Sequence, residues 1–240
     1  MDMKVKYSRL AVILSVIVLL AGCMYPGEDN AGKEIAYADQ LEVIQKAVDA
    51  YQENTGGLLP IKTRDMDTDI YIKYPIEFGK IVPAYTEKIP TNAYENGGIY
   101  QYVLMDVETD PTVKLVDLRS AERIRELNLR KNINGRVPFN EPVGEFVYTV
   151  DFEAMGFKEP LTVPSPYSDA LLPIVIGGDG HFYIDYSIDL NRILEEQQPD
   201  VQEGEDIRYL LADDYPVLPA YSLPYTVNDN NEPIFMKVTK

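Results

Sequence analysis

The chain has 240 residues and a formal net charge of −17 at pH 7, with 39 acidic and 22 basic side chains. A surplus of this sign repels phosphate backbones and anionic lipid, so the composition argues against nucleic-acid binding and against docking on a membrane by charge alone. Apolar residues make up 45% of the chain, which is ordinary for a globular protein, and the length suffices for one large or two small domains.

The start of the chain has the three parts of a secretion signal. Three basic side chains lie within the first nine residues, an apolar run occupies residues 10–20, and small residues precede Cys23, the only cysteine. The run is shorter than the roughly 20 residues that a membrane-spanning helix needs. With Leu20, Ala21 and Gly22 before the cysteine, the pattern resembles the lipobox of bacterial lipoproteins.

This resemblance implies that the Cys23 sulfur carries a diacylglycerol, with palmitate-like acyl chains, and that residues 1–22 are a signal peptide that is removed. The mature chain would then be held on the extracytoplasmic face of the cell membrane. Each buried methylene adds about 0.8 kcal/mol, so two acyl chains suffice for stable anchoring. The alternative is a short transmembrane anchor that is never cut.

A tether and then a helix are predicted after the cysteine. Residues 23–34 are polar and rich in helix breakers, which indicates a flexible linker. From Ile35 to Tyr51, apolar residues recur every three or four positions, which predicts an amphipathic helix that ends at Gly56. The following apolar-Pro step resembles the region after the helix in type IV pseudopilins and favours a helix packed on a sheet.

Alternating carboxylates at Asp65, Asp67 and Asp69 are the one candidate metal site. They resemble the opening of a calcium loop, which requires Gly at its sixth position and Glu at its twelfth. Those positions hold Ile70 and Ile76. We therefore interpret this stretch as a solvated acidic turn and expect no metal site.

Strands and a second helix are predicted in the middle of the chain. Residues 99–107 and 112–118 are rich in aromatic and β-branched side chains and predict a hairpin. The helix that follows has an apolar face that includes Ile124 and Leu127, and Glu126 is expected to face Arg130 across one turn. Asn134 and the glycine after it end this helix.

The last part of the chain combines a hairpin, short helices and a tail. Strands are expected at residues 145–150, 173–176 and 181–186, the last two joined by a glycine-rich turn at 177–180. Asp189 is expected to cap a short helix, and an acidic stretch with a further short helix follows. Residues 216–240 have little periodicity and are interpreted as an extended tail, packed on the body or partly disordered.

Two stretches of the chain share one pattern. A helix, a glycine and an apolar-Pro step occur at residues 41–60 and again at 124–138, and Ile-Glu-Phe at 76–78 corresponds to Val-Asp-Phe at 150–152. The sequence therefore predicts an α+β fold of tandem helix-plus-antiparallel-hairpin units, possibly an internal duplication. The units would cover residues 35–118 and 119–190, with acidic short helices and the tail at 191–240.

The motifs of common enzymes are missing from the sequence. His181 is the only histidine, and no Gly-x-Ser-x-Gly, Ser-x-x-Lys or phosphate-binding loop is present. Pairs of carboxylates are expected by chance in so acidic a chain. We therefore expect a protein that is not an enzyme and uses no cofactor.

Residues 40–51, 59–62, 74–78 and 90–104, together with the lipobox, resemble a group of uncharacterised lipoproteins of Gram-positive, spore-forming bacilli. The resemblance implies an envelope lipoprotein that serves as a non-catalytic binding or accessory module, with a protein or cell-wall partner and no nucleic acid. Some members of the group are labelled ABC-transporter binding proteins. The alternative is therefore a substrate-binding lipoprotein, which would have two α/β lobes with parallel sheets.

Overall fold

A computed structural model defines the secondary structure from residue 30 to residue 236 and the side chains from residue 37 to residue 236. The chain divides into the compact units Met1–Asp39 and Gln40–Lys240. The predicted signal peptide and Cys23 lie outside the described residues. Within the described part, no helix combines the length and the apolar character required to cross a bilayer.

The described residues form helices and antiparallel strands in a mixed arrangement. The helices are α1 (Asn30–Asn54), α2 (Leu118–Asn134), α3 (Ser187–Gln197) and α4 (Tyr209–Asp214). The strands are β1 (Tyr100–Met105), β2 (Thr112–Asp117), β3 (Phe139–Gly144), β4 (Val147–Val150), β5 (Thr162–Pro164), β6 (Leu171–Gly177), β7 (Phe182–Ile184), β8 (Tyr225–Val227) and β9 (Pro233–Phe235). The prediction of an α+β fold with antiparallel hairpins is confirmed.

Local capping explains where α2 begins and ends. Asp117 Oδ1 accepts a hydrogen bond from the Arg119 backbone N–H at 2.9 Å, which satisfies one of the free donors of the first turn. The helix ends at Gly135, whose φ of 67° is a left-handed conformation that glycine adopts at little cost. The helix therefore starts a few residues earlier than its apolar periodicity suggests.

The expected cap of α3 is wrong. The helix begins at Ser187, whose N–H donates to Asp185 Oδ1 at 2.9 Å, and Asp189 lies inside the first turn with no exposed surface. The Asp189 carboxylate instead accepts hydrogen bonds from the hydroxyls of Ser165 and Ser168. It therefore fixes the loop after β5 to the helix.

The first half of the body contains a short antiparallel ladder. β1 pairs with β2, and the outer edge of β1 is bridged at Val103 by Pro75, next to an antiparallel bridge between Ile61 and Ile76. α1 contacts the hairpin through Gln45, whose Oε1 accepts from the Val113 N–H at 2.7 Å. This hydrogen bond links the first helix to the first hairpin through a polar side chain.

The second half is built on a five-stranded antiparallel sheet. Its order is β3-β4-β6-β5, and β7 also pairs with β6. Leu127 of α2 is fully buried in a core with Val150, Ile176 and Phe182 from this sheet. The second helix therefore packs on the second sheet. The opposite face packs through Val175 on Leu223 from the chain after α4.

The two halves run in the same order. In each, a helix leads through two short antiparallel segments into a hairpin, and each hairpin leads into the next helix. The Glu77 N–H donates to Pro60 O at 2.7 Å, and the Asp151 N–H donates to Pro138 O at 2.8 Å. These two bonds join the residue pairs that the duplication hypothesis equates. β5 interrupts the second half and has no strand in the corresponding part of the first.

The stretch after α4, as far as residue 236, packs on the body. The Leu115 N–H of β2 donates to Pro216 O at 2.9 Å, and the Ile184 N–H of β7 donates to Tyr221 O at 2.8 Å. One short segment thus binds the edge strands of both halves. Residues 216–240 were expected to be either packed on the body or partly disordered. Those that the structure describes, up to residue 236, are packed on the body.

Candidate binding face on helix α2

The outward face of α2 borders a surface groove of about 640 Å³. It is lined by Arg119, Glu122, Arg123, Arg125, Glu126 and Leu129 from α2 and by Val163 and Pro164 from β5. The opposite face of the helix is anchored by Leu127, so the position of the groove residues is set by the core. The groove combines an apolar floor with charged walls.

Two of the three arginines in the groove are held in place by carboxylates. Arg119 Nε and Nη2 donate to Asp117, with the closer Nε contact at 2.9 Å. Arg123 Nη1 donates to Glu126 at 3.2 Å, so the expected pairing of Glu126 with Arg130 is not observed. A guanidinium is planar and carries several N–H donors, which suits recognition of carboxylate or phosphate groups.

Arg130 has a different role from the one expected. Its guanidinium lies over the ring of Phe157, 4.8 Å from the ring centre, in a cation–π contact. The Lys131 ammonium donates to Gly180 O and lies over the Phe182 ring at 5.3 Å. These contacts fix the last turns of α2 to the loop after β4 and to β7 with the turn before it.

The candidate calcium turn is divided between two roles. Asp69 accepts from the Tyr71 N–H and pairs with Arg208, at 2.9 Å from its Nη1. Asp65 and Asp67 belong to the preceding turn. Among the residues described, no group of three or more His, Cys, Asp or Glu side chains is placed to hold a metal ion.

Arg208 is a buried ion-pair centre that links distant parts of the chain. It is 6% exposed, pairs with Asp69 and Asp206, and lies 4.9 Å from the centre of the Tyr71 ring. Burial lowers the pKa of the guanidinium, but the hydrogen bond and charge of Asp206, with the charge of Asp69, raise it above its ordinary value. The group therefore stays charged and serves as a structural connection.

The buried titratable groups are placed for structure. Burial raises the pKa of Tyr102 to about 12, and burial together with the nearby Asp185 carboxylate raises that of Tyr225 well above its ordinary value. The Tyr225 hydroxyl donates to Asp185 at 2.9 Å. Hydroxyls that stay neutral and donate to fixed acceptors satisfy the core.

His181 lies at the exposed hairpin turn, as the sequence predicts. Its Nδ1 is 3.2 Å from Asp179 Oδ2, and the Tyr183 hydroxyl donates to the same carboxylate. Burial raises the pKa of Asp179, but the His181 N–H and the Tyr183 hydroxyl outweigh it and lower the pKa overall. The geometry fits a turn stabilised by its own hydrogen bonds.

The comparisons bear on the first half of the body. A family model, described as the YphF family N-terminal domain, matches residues 37–117. The matched stretch ends at Asp117, the residue that caps α2, and so extends through β2. The match agrees with the expected resemblance to an uncharacterised family over roughly a third of the chain. No curated protein and no solved structure matches.

Proposed function

We propose that the protein is a membrane-anchored lipoprotein of the cell envelope that acts as a non-catalytic binding or accessory module. The observation that supports the anchor is the basic head, short apolar run and small residues before the only cysteine. The observation that supports binding is the charged, apolar-floored groove on α2. The partner is a protein or a cell-wall component.

The anchor is tested by replacing its cysteine. In cells fed labelled palmitate, Cys23→Ser should yield an uncut precursor without label, whereas Met24→Ser should be labelled and processed as the natural chain is. A Cys23→Ser protein that still gains label and matures would refute the lipoprotein assignment.

The groove is tested by capture from membranes followed by mass spectrometry. The double variant Arg125→Glu with Leu129→Glu should lose the proteins that the natural chain captures, because it reverses one charge and adds another in the groove. Met66→Glu, at a side chain that is 92% exposed elsewhere, is the matched control. Equal capture by all three proteins would exclude the groove as the binding site.

The alternative, a substrate-binding lipoprotein of an ABC transporter, receives no support from the sheets. Such proteins have two lobes built on parallel sheets. In the described part of the chain, every pairing between named strands is antiparallel, and residues 40–240 form one compact unit. The accessory-module proposal therefore takes precedence.

A further inference from the structure

One stretch of the body exposes an unusual share of its large apolar side chains. Fifteen such side chains are exposed among the described residues, and six of them fall within residues 129–146. The six are Leu129, Ile133, Val137, Phe139, Val143 and Phe146. We name residues 129–146 the apolar segment. Apolar side chains exposed in one stretch indicate a surface that contacts something.

Phe146 is exposed at a cost to the backbone. It is the second residue of the two-residue turn between β3 and β4. Its φ is 60°, and the residue is 61% exposed. Glycine and asparagine favour this left-handed conformation, and a bulky side chain there is an outlier. The ring gives little burial to the fold in return. Such an outlier points to a function outside the core.

The turn that carries Phe146 is held rigidly against its neighbour. The Gly178 N–H donates to Phe146 O at 2.6 Å, and a Cβ placed on Gly178 would lie 3.1 Å from Phe146 Cβ. On the other side of this glycine-rich turn, a Cβ on Gly180 would lie 3.7 Å from Val137 Cγ2. Phe146 and Val137 therefore flank one surface turn.

The apolar segment overlaps a basic stretch of the chain. Residues 127–140 contain three basic side chains, Arg130, Lys131 and Arg136, and no Asp or Glu. Glu141 and Glu145 follow on the hairpin and are exposed. Arg and Lys can lay their long apolar stems against apolar groups while the charged head stays in water. Exposed apolar side chains beside such residues are typical of proteins that lie at the membrane–water boundary.

We propose that the apolar segment is a second membrane contact, which places Phe146 and its apolar neighbours in the headgroup region of the phospholipid bilayer. The inference rests on the proposed lipid anchor, because acyl chains keep the body at high effective concentration beside the surface, where a weak contact suffices. Insertion of apolar groups supplies the attraction, and the exposed Arg136 guanidinium meets lipid phosphates. The acidic remainder of the body faces away.

The absence of tryptophan from the chain makes a site-specific test possible. Residues 24–240, without acyl chains, contain the whole compact unit Gln40–Lys240 and its cores and are used for the assay. Phe146→Trp and Ile133→Trp are each mixed with vesicles of equal parts phosphatidylcholine and phosphatidylglycerol. Both emissions should shift to the blue and be quenched by brominated lipid. Met66→Trp, at an exposed site far along the sequence, should show neither effect.

A second variant separates lipid binding from folding. Phe146→Asn suits the positive φ, so its unfolding midpoint should equal or exceed that of the natural chain, while vesicle affinity falls about ten-fold through loss of one apolar side chain. Unchanged affinity would overturn the proposal. So would a blue shift that needs no vesicles and grows with protein concentration, since that identifies contact with a second copy. The assay omits the acyl chains, so failure here leaves the Cys23→Ser result to decide the anchor.

Discussion

Replacement of Arg208 by alanine should cost more stability than any other single polar substitution in the body. The change removes a buried cation and leaves Asp69 and Asp206 facing each other, with Ser222 O deprived of a donor at 3.1 Å. Removing one partner of a buried ion pair typically costs about 3–5 kcal/mol, and the 30% and 34% exposure of the Asp69 and Asp206 side chains puts the cost here at the lower end of that range. That is a large part of the roughly 5–15 kcal/mol of a typical domain.

Urea unfolding of the natural chain and its variants measures this cost. Arg208→Lys should restore part of the loss, since an ammonium keeps the charge but cannot reproduce the forked contact with Asp206. Arg136→Ala, at an exposed arginine, should change the free energy of unfolding by less than about 0.5 kcal/mol. A loss below about 1 kcal/mol for Arg208→Ala would refute the assignment of a structural centre.

Three further results are expected. Leu127→Ala should lower the free energy of unfolding by about 2–5 kcal/mol, whereas Leu129→Ala, 62% exposed two residues along the same helix, should be nearly neutral; equal effects would contradict the packing of α2. Because Tyr102 and Tyr225 have raised pKa values when folded, their stability contribution is complete below the unfolded value of about 10 and is lost as pH rises through the folded value. The tyrosinate absorbance of these two residues, obtained by subtracting the titrations of Tyr102→Phe and Tyr225→Phe from that of the natural chain, should therefore rise together with unfolding, and a rise while the chain is still folded would disprove this. Calorimetry should detect no micromolar calcium binding to the turn at residues 65–69. Binding of that strength that is lost in Asp67→Ala would contradict this expectation.

The parts of the fold with strong local signals could be predicted from the sequence. The three-and-four spacing of α1, the β-branched residues of β1 and β2, and the glycine-rich turn at 177–180 each have a physical cause within a few neighbouring residues. The boundaries of α2 and α3 are harder to predict from the sequence. Asp117 caps α2, and Asp185 accepts from the first N–H of α3, but an aspartate that serves a helix start cannot be told from other acids in so acidic a chain.

The missed elements depend on partners that are far away in sequence. β3 contains Pro142 and pairs irregularly with β4, so no periodicity marks it as a strand. The ion pair between Arg208 and Asp69 joins residues 139 positions apart. The groove on α2 was missed because its alternating Glu and Arg side chains have the pattern of a solvated face, and only the approach of β5 makes it concave.

The segment after α3 explains why the two halves should fold as one body. It contributes buried apolar residues to the cores of both: Ala212, Leu218 and Ala220 pack with Tyr71 and Val103 of the first half, and Ile207, Leu211 and Tyr225 pack with the second. Full burial of one large apolar side chain is worth roughly 1.5–3 kcal/mol. Several such contributions together equal the whole stability of an ordinary domain.

A chain that ends at Gln198 should therefore be unfolded in both halves, although the matched family domain ends at Asp117. Hydrogen exchange on residues 24–198 should show no protected amides in β1 and β2, because Leu115 then lacks its bonds to Pro216 and Leu218. Adding a peptide of residues 199–236 should restore protection in β2 and β7 together, since the segment bonds to both. If the truncated chain keeps a protected β1–β2 hairpin and unfolds cooperatively, the first half is self-sufficient, and the segment joins two domains that are each already folded.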